Sequence, residues 1–277
     1  MTKSAKKTGE TTKGAAARAS KKSPKKSEAS AASVKSDGVK GTGKKASKKT
    51  KKKTGAGRPR KVTAADRAYA AAIYAELESL YPDAHCALIH ENPWQLLVAT
   101  ILSAQCTDER VNMVTPKLFE TYPTPAAMSD ADLGDIETLI HSTGFFRNKA
   151  KNIKGAAVAV TTKYGGDVPR TMDELLSLPG VARKTGNVVL GNAFNINVGV
   201  VVDTHISRLS QRLGLTKQTT PEKIERDLVA LFPQDNWTML AHLLIFHGRQ
   251  VCNARKPRCS DCSMQKTCPQ VGVTTSA

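Results

Sequence analysis

From Val62 onward apolar residues recur at three- and four-residue intervals, the period of helices that each bury one face. The stretch VTAADRAYAAAIYAELESLYP predicts a long first helix with Ile73, Leu77, Leu80 and Tyr81 at core spacing. NPWQLLVATILSAQ predicts a second, with Asn92 as cap and Pro93 at the first helical position, where a missing N–H costs nothing. TDERVNMVTPKLFETY opens with a threonine cap and acids in its first turn, which suit the positive end of a helix. Helices are also predicted in DADLGDIETLIHSTG, RNKAKNIKGAAVAVTTKYGG, TMDELLSL, TPEKIERDLVALFP, where Pro221 follows a threonine cap, and NWTMLAHLLIFHG. INVGVVVDTH is the one strand-like run, and because it leads straight into a helix cap it reads as a buried connector. The fold class is all-α.

One stretch breaks the pattern. In LPGVARKTGNVVL, residues 178–190, a short turn opens an amphipathic helix, yet Lys184 falls at the margin of the stripe shared by Val181, Thr185, Val188 and Val189. A lone lysine there ordinarily lays its methylenes along the core and lifts its ammonium into water. Other parts of the chain decide whether this one does more.

Charge is distributed very unevenly. Residues 1–61 hold 21 of the 42 Lys and Arg but only Glu10, Glu28 and Asp37 of the 24 acids, so the whole excess of +18 lies there and the remainder balances. Residues 1–62 are built from Lys, Ala, Ser, Thr and Gly, too polar to offset the entropy of ordering, and are expected to be a disordered tail. SPKK (23–26), KKASKKTKKK (44–53) and GRPRK (57–61) resemble the basic repeats of linker-histone tails and the core of a minor-groove AT-hook. A polycation this dense attracts nucleic acid through counterion release, so sequence-independent DNA tethering is expected, over an end-to-end reach of about 45 Å. The 277 residues, 40% apolar, suffice for one or two packed domains. No apolar run has signal-peptide or membrane length, which predicts a protein that is not secreted, has no membrane partner and works in a bacterial cytoplasm and nucleoid or in a nucleus.

Six cysteines occur. Cys86 and Cys106 stand alone in stretches read as helical and are expected to be small buried hydrophobes. Cys252, Cys259, Cys262 and Cys268 crowd CNARKPRCSDCSMQKTC with the spacing C-x6-C-x2-C-x5-C. Two disulfides are disfavoured in a reducing compartment. Zinc sites usually present two C-x2-4-C knuckles separated by a longer spacer, whereas a cubane iron–sulfur cluster, each of whose four irons takes one thiolate, suits a single compact loop. The cluster is favoured over zinc.

The cysteine spacing, LPGVARKTGNVVL, VDTHISRLSQRLGL and ILSAQCTDERVN together resemble the endonuclease III family, DNA glycosylases and apurinic-site lyases of the helix-hairpin-helix superfamily, from about residue 66 to about residue 269. The resemblance implies a six-helix barrel with the helix-hairpin-helix over 86–197 and a cluster domain assembled from 63–85 and 198–270, with 271–277 as a flexible end. It also implies a [4Fe-4S] cofactor on Cys252, Cys259, Cys262 and Cys268, and duplex DNA with damaged pyrimidines or abasic sites as partner, bound by a monomer.

The family's nucleophile matches Lys184. A lysine amine attacks carbon only when neutral, and partial burial with the positive end of its own helix would disfavour the ammonium. Asp203 matches the catalytic aspartate. It is also the natural N-cap of the following helix, and an ionised carboxylate there can stabilise the oxocarbenium-like charge of a departing base. The connector between Lys184 and Asp203 is one residue longer than the family pattern.

In the hairpin, Gly180 matches the first glycine, Ala182 stands where the family often has a second, and Arg183 follows, and the resemblance implies that the three bind DNA, with backbone N–H groups on a phosphate; Ala182 serves only with negative φ. Gln105 and Phe145 match residues that fill the gap left by an extruded base. Asp108 is a pocket candidate, and Arg255, Lys256 and Arg258 in the cysteine loop are phosphate candidates. Two rival readings are an adenine mismatch glycosylase, which lacks the lysine and continues into a further domain, and a non-catalytic architectural protein that only grips duplex.

Overall fold

A computed structural model describes residues 61–277, and among them every regular element is helical. The lysine-rich tail lies outside the described residues except for Lys61 and Val62, and Val62 packs against a hydrophobic core, so the folded part begins before the expected boundary.

The first helix, α1 (Ala64–Leu80), starts at a capping box: Thr63 Oγ1 accepts from the Asp66 amide at 3.1 Å and the Asp66 carboxylate accepts from the Thr63 amide at 2.9 Å. Its buried stripe is Ala70, Ile73 and Leu77. Leu80, predicted in the core, is 41% exposed, because the helix stops there and the chain turns at Tyr81, which is half-buried. Helix α2 (Pro93–Leu102) begins as the sequence predicts, with Asn92 Oδ1 accepting from the Gln95 amide at 2.9 Å. It is buried on nearly every side from Trp94 to Leu102, which makes it the centre of the first core.

Around α2 stand α3 (Asp108–Thr121), α4 (Pro125–Asp130), α5 (Leu133–Ile140), α6 (Phe146–Tyr164), α7 (Met172–Leu176) and α8 (Arg183–Phe194). Helix α2 packs on α3, α6 and α8, α6 on α4 and α5, and α7 on α8. A second core joins α1 to α9 (Thr204–Arg212), α10 (Pro221–Leu231) and α11 (Trp237–Gln250), with Val200, Val202 and Met264 closing it. Pro221 occupies the first position of α10 as predicted, but the Thr220 hydroxyl caps nothing. Residues 196–203 carry no regular structure and bury Val200 and Val202, the connector expected from the sequence.

Polar contacts join the two cores. Arg249 on α11 pairs with Asp108 at 2.5 Å, Glu225 on α10 accepts from Arg183 and Asn187 on α8, and His242 meets Asn192 at 2.7 Å. Cys86 and Cys106 lie in the turns before α2 and α3 rather than within helices, and both are half-buried against the first core. Residues 271–277, expected to be flexible, return to the cysteine loop, where the Ala277 amide donates to the Pro257 carbonyl at 2.9 Å and Ser260 Oγ donates to the Ala277 carbonyl at 2.9 Å.

Candidate active site

The hairpin between α7 and α8 is fixed by close backbone approach to α6. Gly180 has φ +77, and a Cβ there would sit 2.7 Å from Asn152 Cβ, so both conformation and space require glycine. One turn further along α6, a Cβ on Gly155 would lie 3.0 Å from Pro179. Ala182 has φ −99 and ψ 169, the negative φ that lets alanine stand at this position. It is the N-cap of α8 and offers no side-chain acceptor, so the first-turn amides of that helix have no side-chain cap.

Lys184 is in that first turn and is exposed, against the expectation of partial burial. The buried residues of α8 are Gly186, Asn187, Val189, Leu190 and Gly191; Lys184 lies at the edge of their arc, but one turn too early for anything to cover it. It makes no hydrogen bond or ion pair among the described residues. Arg183 does: its Nη2 and Nε donate to Glu225 at 3.1 and 3.3 Å, so the guanidinium ties α8 to α10 instead of standing free for a phosphate.

Beyond α8 the connector doubles back. The Ile196 amide donates to the Leu190 carbonyl, and a Cβ on Gly199 would press on Glu225 and Asn187, so the chain has returned to the second turn of α8 before α9 begins. Asp203 caps α9, its Oδ1 accepting from the Ile206 amide at 2.8 Å, and is half-buried. Its charge is felt by His205, whose pKa burial lowers, with Asp203 opposing that shift and Arg208 and Arg249 reinforcing it. Arg249 in turn pairs with the pocket candidate Asp108.

The two gap-filling candidates share a backbone feature. Gln105 has φ +54 and Phe145 has φ +48, left-handed conformations that cost a non-glycine residue strain. Gln105 is exposed, and Phe145 is 65% exposed while its neighbour Phe146 packs into the first core against His141. Phe145 is therefore no packing residue at the helix end.

Cys252, Cys259, Cys262 and Cys268 line one cavity together with Leu209, His247 and Met264. None forms a disulfide, and burial pushes the Cys262 and Cys268 thiols up. Arg212 Nη1 donates to Cys252 Sγ at 3.3 Å and to the Asn253 carbonyl at 2.7 Å, while Arg208 Nη2 donates to the Cys252 carbonyl at 3.1 Å. All three basic loop residues are exposed, and Arg258 in addition donates to the Gln250 carbonyl and lines the cavity. Helix α9 thus has Asp203 at one end and the cavity at the other.

Sequence reasoning missed Glu225, Arg249 and Lys149. The first two look like ordinary surface charges on amphipathic helices, and only tertiary contact gives them partners.

Residues 98–234 match the family described as HhH-GPD superfamily base excision DNA repair protein. Endonuclease III of Synechocystis sp. is 61% identical over 193 residues, which cover 70% of this chain and 88% of that relative. Endonuclease III of Bacillus subtilis is 43% identical over 194 residues, with the same shares of 70% and 88%. A solved non-covalent endonuclease III–DNA complex superposes with TM-score 0.70 at 42% identity, covering 74% of this chain and 95% of that one. A trapped endonuclease III–DNA covalent intermediate gives TM-score 0.70 at 42% identity, over 74% and 96%. A thermostable thymine-DNA glycosylase, 23% identical with TM-score 0.67, shares the fold. With this degree of identity over most of its relatives' length, the chain belongs to the endonuclease III family of base-excision DNA repair proteins.

Proposed function

We propose that this base-excision DNA glycosylase and abasic-site lyase attacks C1′ of a damaged pyrimidine nucleotide with Lys184, assisted by Asp203. The observation that carries the reading is the state of Lys184, an unpartnered, exposed amine in the uncapped first turn of α8, directly after the hairpin. Uncapped amides at a helix N-terminus bind a phosphate, and the hairpin presents them beside the amine.

The chemistry has two stages. Nζ, acting as the free amine, bonds to C1′ as the C1′–N bond to the base breaks; the C1′–O4′ bond then opens to give an imine, the two amine protons passing to the departing base and to O4′, and loss of a C2′ proton breaks the C3′–O bond and releases the phosphate on the 3′ side of the lesion. Asp203, held by the Ile206 amide, faces the positive charge that develops as the base leaves. Gln105 and Phe145 enter the duplex to fill the space of the extruded base, which accounts for two strained residues presenting their side chains to solvent. The partner is duplex DNA.

Cys252, Cys259, Cys262 and Cys268 would hold a [4Fe-4S] cluster. The donor set fits: the four thiols come from one compact loop and line a single cavity. Bound there, the cluster would cross-link the loop from four points. The loop residues Arg255 and Lys256 would then be held towards the phosphates.

Borohydride trapping on abasic duplex tests the nucleophile. Wild type is expected to give a covalent adduct and Lys184→Ala none; an undiminished adduct with Lys184→Ala rejects the assignment.

A further inference from the structure

Helix α6 carries a lysine that the reaction does not use. Lys149 is 4% exposed, in the stripe where Phe146, Ala150, Ile153 and Ala157 face the first core. Burial lowers its pKa, as expected for an ammonium with no carboxylate on it. Its Nζ donates instead to two backbone carbonyls, Leu102 and Thr143, each at 2.8 Å.

Those carbonyls are not arbitrary. Leu102 is the last residue of α2, and the chain then turns through Ser103 and Ala104 into left-handed Gln105. Thr143 is the last residue of a short 3-10 turn, and the chain continues through Gly144 into left-handed Phe145. Both are ends of helical segments, whose carbonyls lack intrahelical donors and carry the negative end of the dipole. A methionine would fill the same stripe without the cost of a buried charge, so packing alone gives no reason for lysine here.

We propose that Lys149 is a positioning residue, a strut that sets the separation of the Gln105 and Phe145 turns so that both side chains enter the duplex as a pair. The proposal rests on the reading of Gln105 and Phe145 as gap fillers. It adds the device that keeps two strained turns from relaxing independently. The remainder of α6 extends the same frame to the hairpin, since Asn152 and Gly155 are the residues against which Gly180 and Pro179 pack.

The test compares thymine-glycol excision from two duplexes, one with adenine opposite the lesion and one with a tetrahydrofuran abasic analogue opposite, where there is no base pair to open. For Lys149→Met the ratio of kcat/KM, paired over unpaired, is expected to fall about ten-fold or more, within the roughly 10²-fold that a misplacement of about 1 Å can cost. Activity on the unpaired duplex should stay within about two-fold, because Lys149 contacts neither Lys184 nor Asp203. In a Gln105→Ala/Phe145→Ala background the Lys149→Met effect should vanish, since there is then nothing left to position.

If Lys149→Met leaves the ratio unchanged while Gln105→Ala and Phe145→Ala lower it, the strut is wrong and the gap-filling reading stands. If Gln105→Ala and Phe145→Ala also leave it unchanged, both fall. A Lys149 effect that persists in the double-alanine background means general loosening and also overturns the proposal. Should Lys149→Met not fold, Lys149→Arg decides by the same ratio, because the longer, planar guanidinium donates in a different geometry from the ammonium and is expected to shift the two carbonyls.

Discussion

The Asp203 carboxylate receives the Ile206 amide at 2.8 Å, so the side chain assigned to the chemistry is also the cap that starts α9. The two roles separate by substitution. Asparagine caps as well as aspartate, whereas alanine caps poorly and costs about 1 kcal/mol. Asp203→Asn should therefore keep wild-type thermal stability, and Asp203→Ala should lose about that amount. Base release should fall in both, by a factor on the order of 10² or more, because both remove the charge proposed to stabilise the oxocarbenium-like centre. Thermal melts paired with single-turnover excision assays check this; full activity in Asp203→Asn would reduce the residue to a cap.

The hairpin permits the opposite experiment, a gain of stability at the expense of function. Ala182 is an N-cap without an acceptor, one of the poorest choices at that position, and its φ of −99 already suits a capping aspartate. Ala182→Asp should raise the stability of α8 by about 0.5–2 kcal/mol. It should also place a carboxylate where the uncapped amides would hold a DNA phosphate, and so weaken duplex binding. Melting temperature and DNA affinity are expected to move in opposite directions. If affinity is unchanged, the phosphate does not bind at this turn.

Most of the fold was legible because its caps are written in the sequence: Asn92–Pro93, Thr107 and Thr220–Pro221 mark three helix starts where they occur, although Thr220 makes no cap bond. The connector 196–203 was legible for the same reason, since Asp203 had to cap something. Burial was less so. Leu80 follows the stripe of α1 and is exposed because periodicity does not tell where a helix leaves its neighbours. The lysines make the point most sharply. Lys184 raised the question of a charge on an apolar margin, yet it is exposed, while Lys149 is the one inside the stripe. Counting from Phe146 and Ala150 would have flagged it. The site's chain-distant pairs, Arg249 with Asp108 and Arg183 with Glu225, have no sequence signal, because which surface charges meet depends on how the two cores pack.

Stability should depend on acid through His242. Burial, with a smaller push from nearby His85, takes its pKa from 6.5 down to about 4, and its Nε2 lies 2.7 Å from Asn192 Oδ1, between α11 and α8. The folded state thus holds the ring neutral while the unfolded chain protonates it near 6.5. The contribution is fully present above pH 6.5 and is lost as pH falls from there towards about 4. Denaturant unfolding at several pH values should show His242→Gln with a shallower pH slope than wild type in that window, by up to one proton, or roughly 1.4 kcal/mol per pH unit. Equal slopes would mean that the ring takes up its proton in the folded protein as readily as in the unfolded chain.

If the four-cysteine cavity holds a cubane, the purified protein should contain four irons and four sulfides per chain, with the broad visible absorption of an iron–sulfur cluster and no stoichiometric zinc. Cys259→Ser should lose that absorption. Its DNA affinity should fall more than its rate on bound substrate, because Arg255 and Lys256 are carried by the loop that the thiols anchor, whereas Lys184 and Asp203 are on α8 and at the cap of α9. A variant that loses iron yet binds duplex as tightly as wild type would separate the cluster from DNA positioning.

The basic tail gives the last prediction, and charge alone carries it. Half of the 42 Lys and Arg lie in residues 1–61, while the rest of the chain has as many acids as bases, so the folded part must bind duplex through a few local cations. The logarithm of affinity falls with the logarithm of salt in proportion to the number of phosphates neutralised. Protein lacking residues 1–61 should therefore keep its single-turnover excision rate but bind duplex with a distinctly shallower salt slope. The difference in slope, divided by about 0.9, counts the tail's phosphate contacts. It should be equal for damaged and undamaged duplex, since a tether of this composition reads no sequence and no lesion. A tail that changed the ratio of lesion to non-lesion affinity would be taking part in recognition.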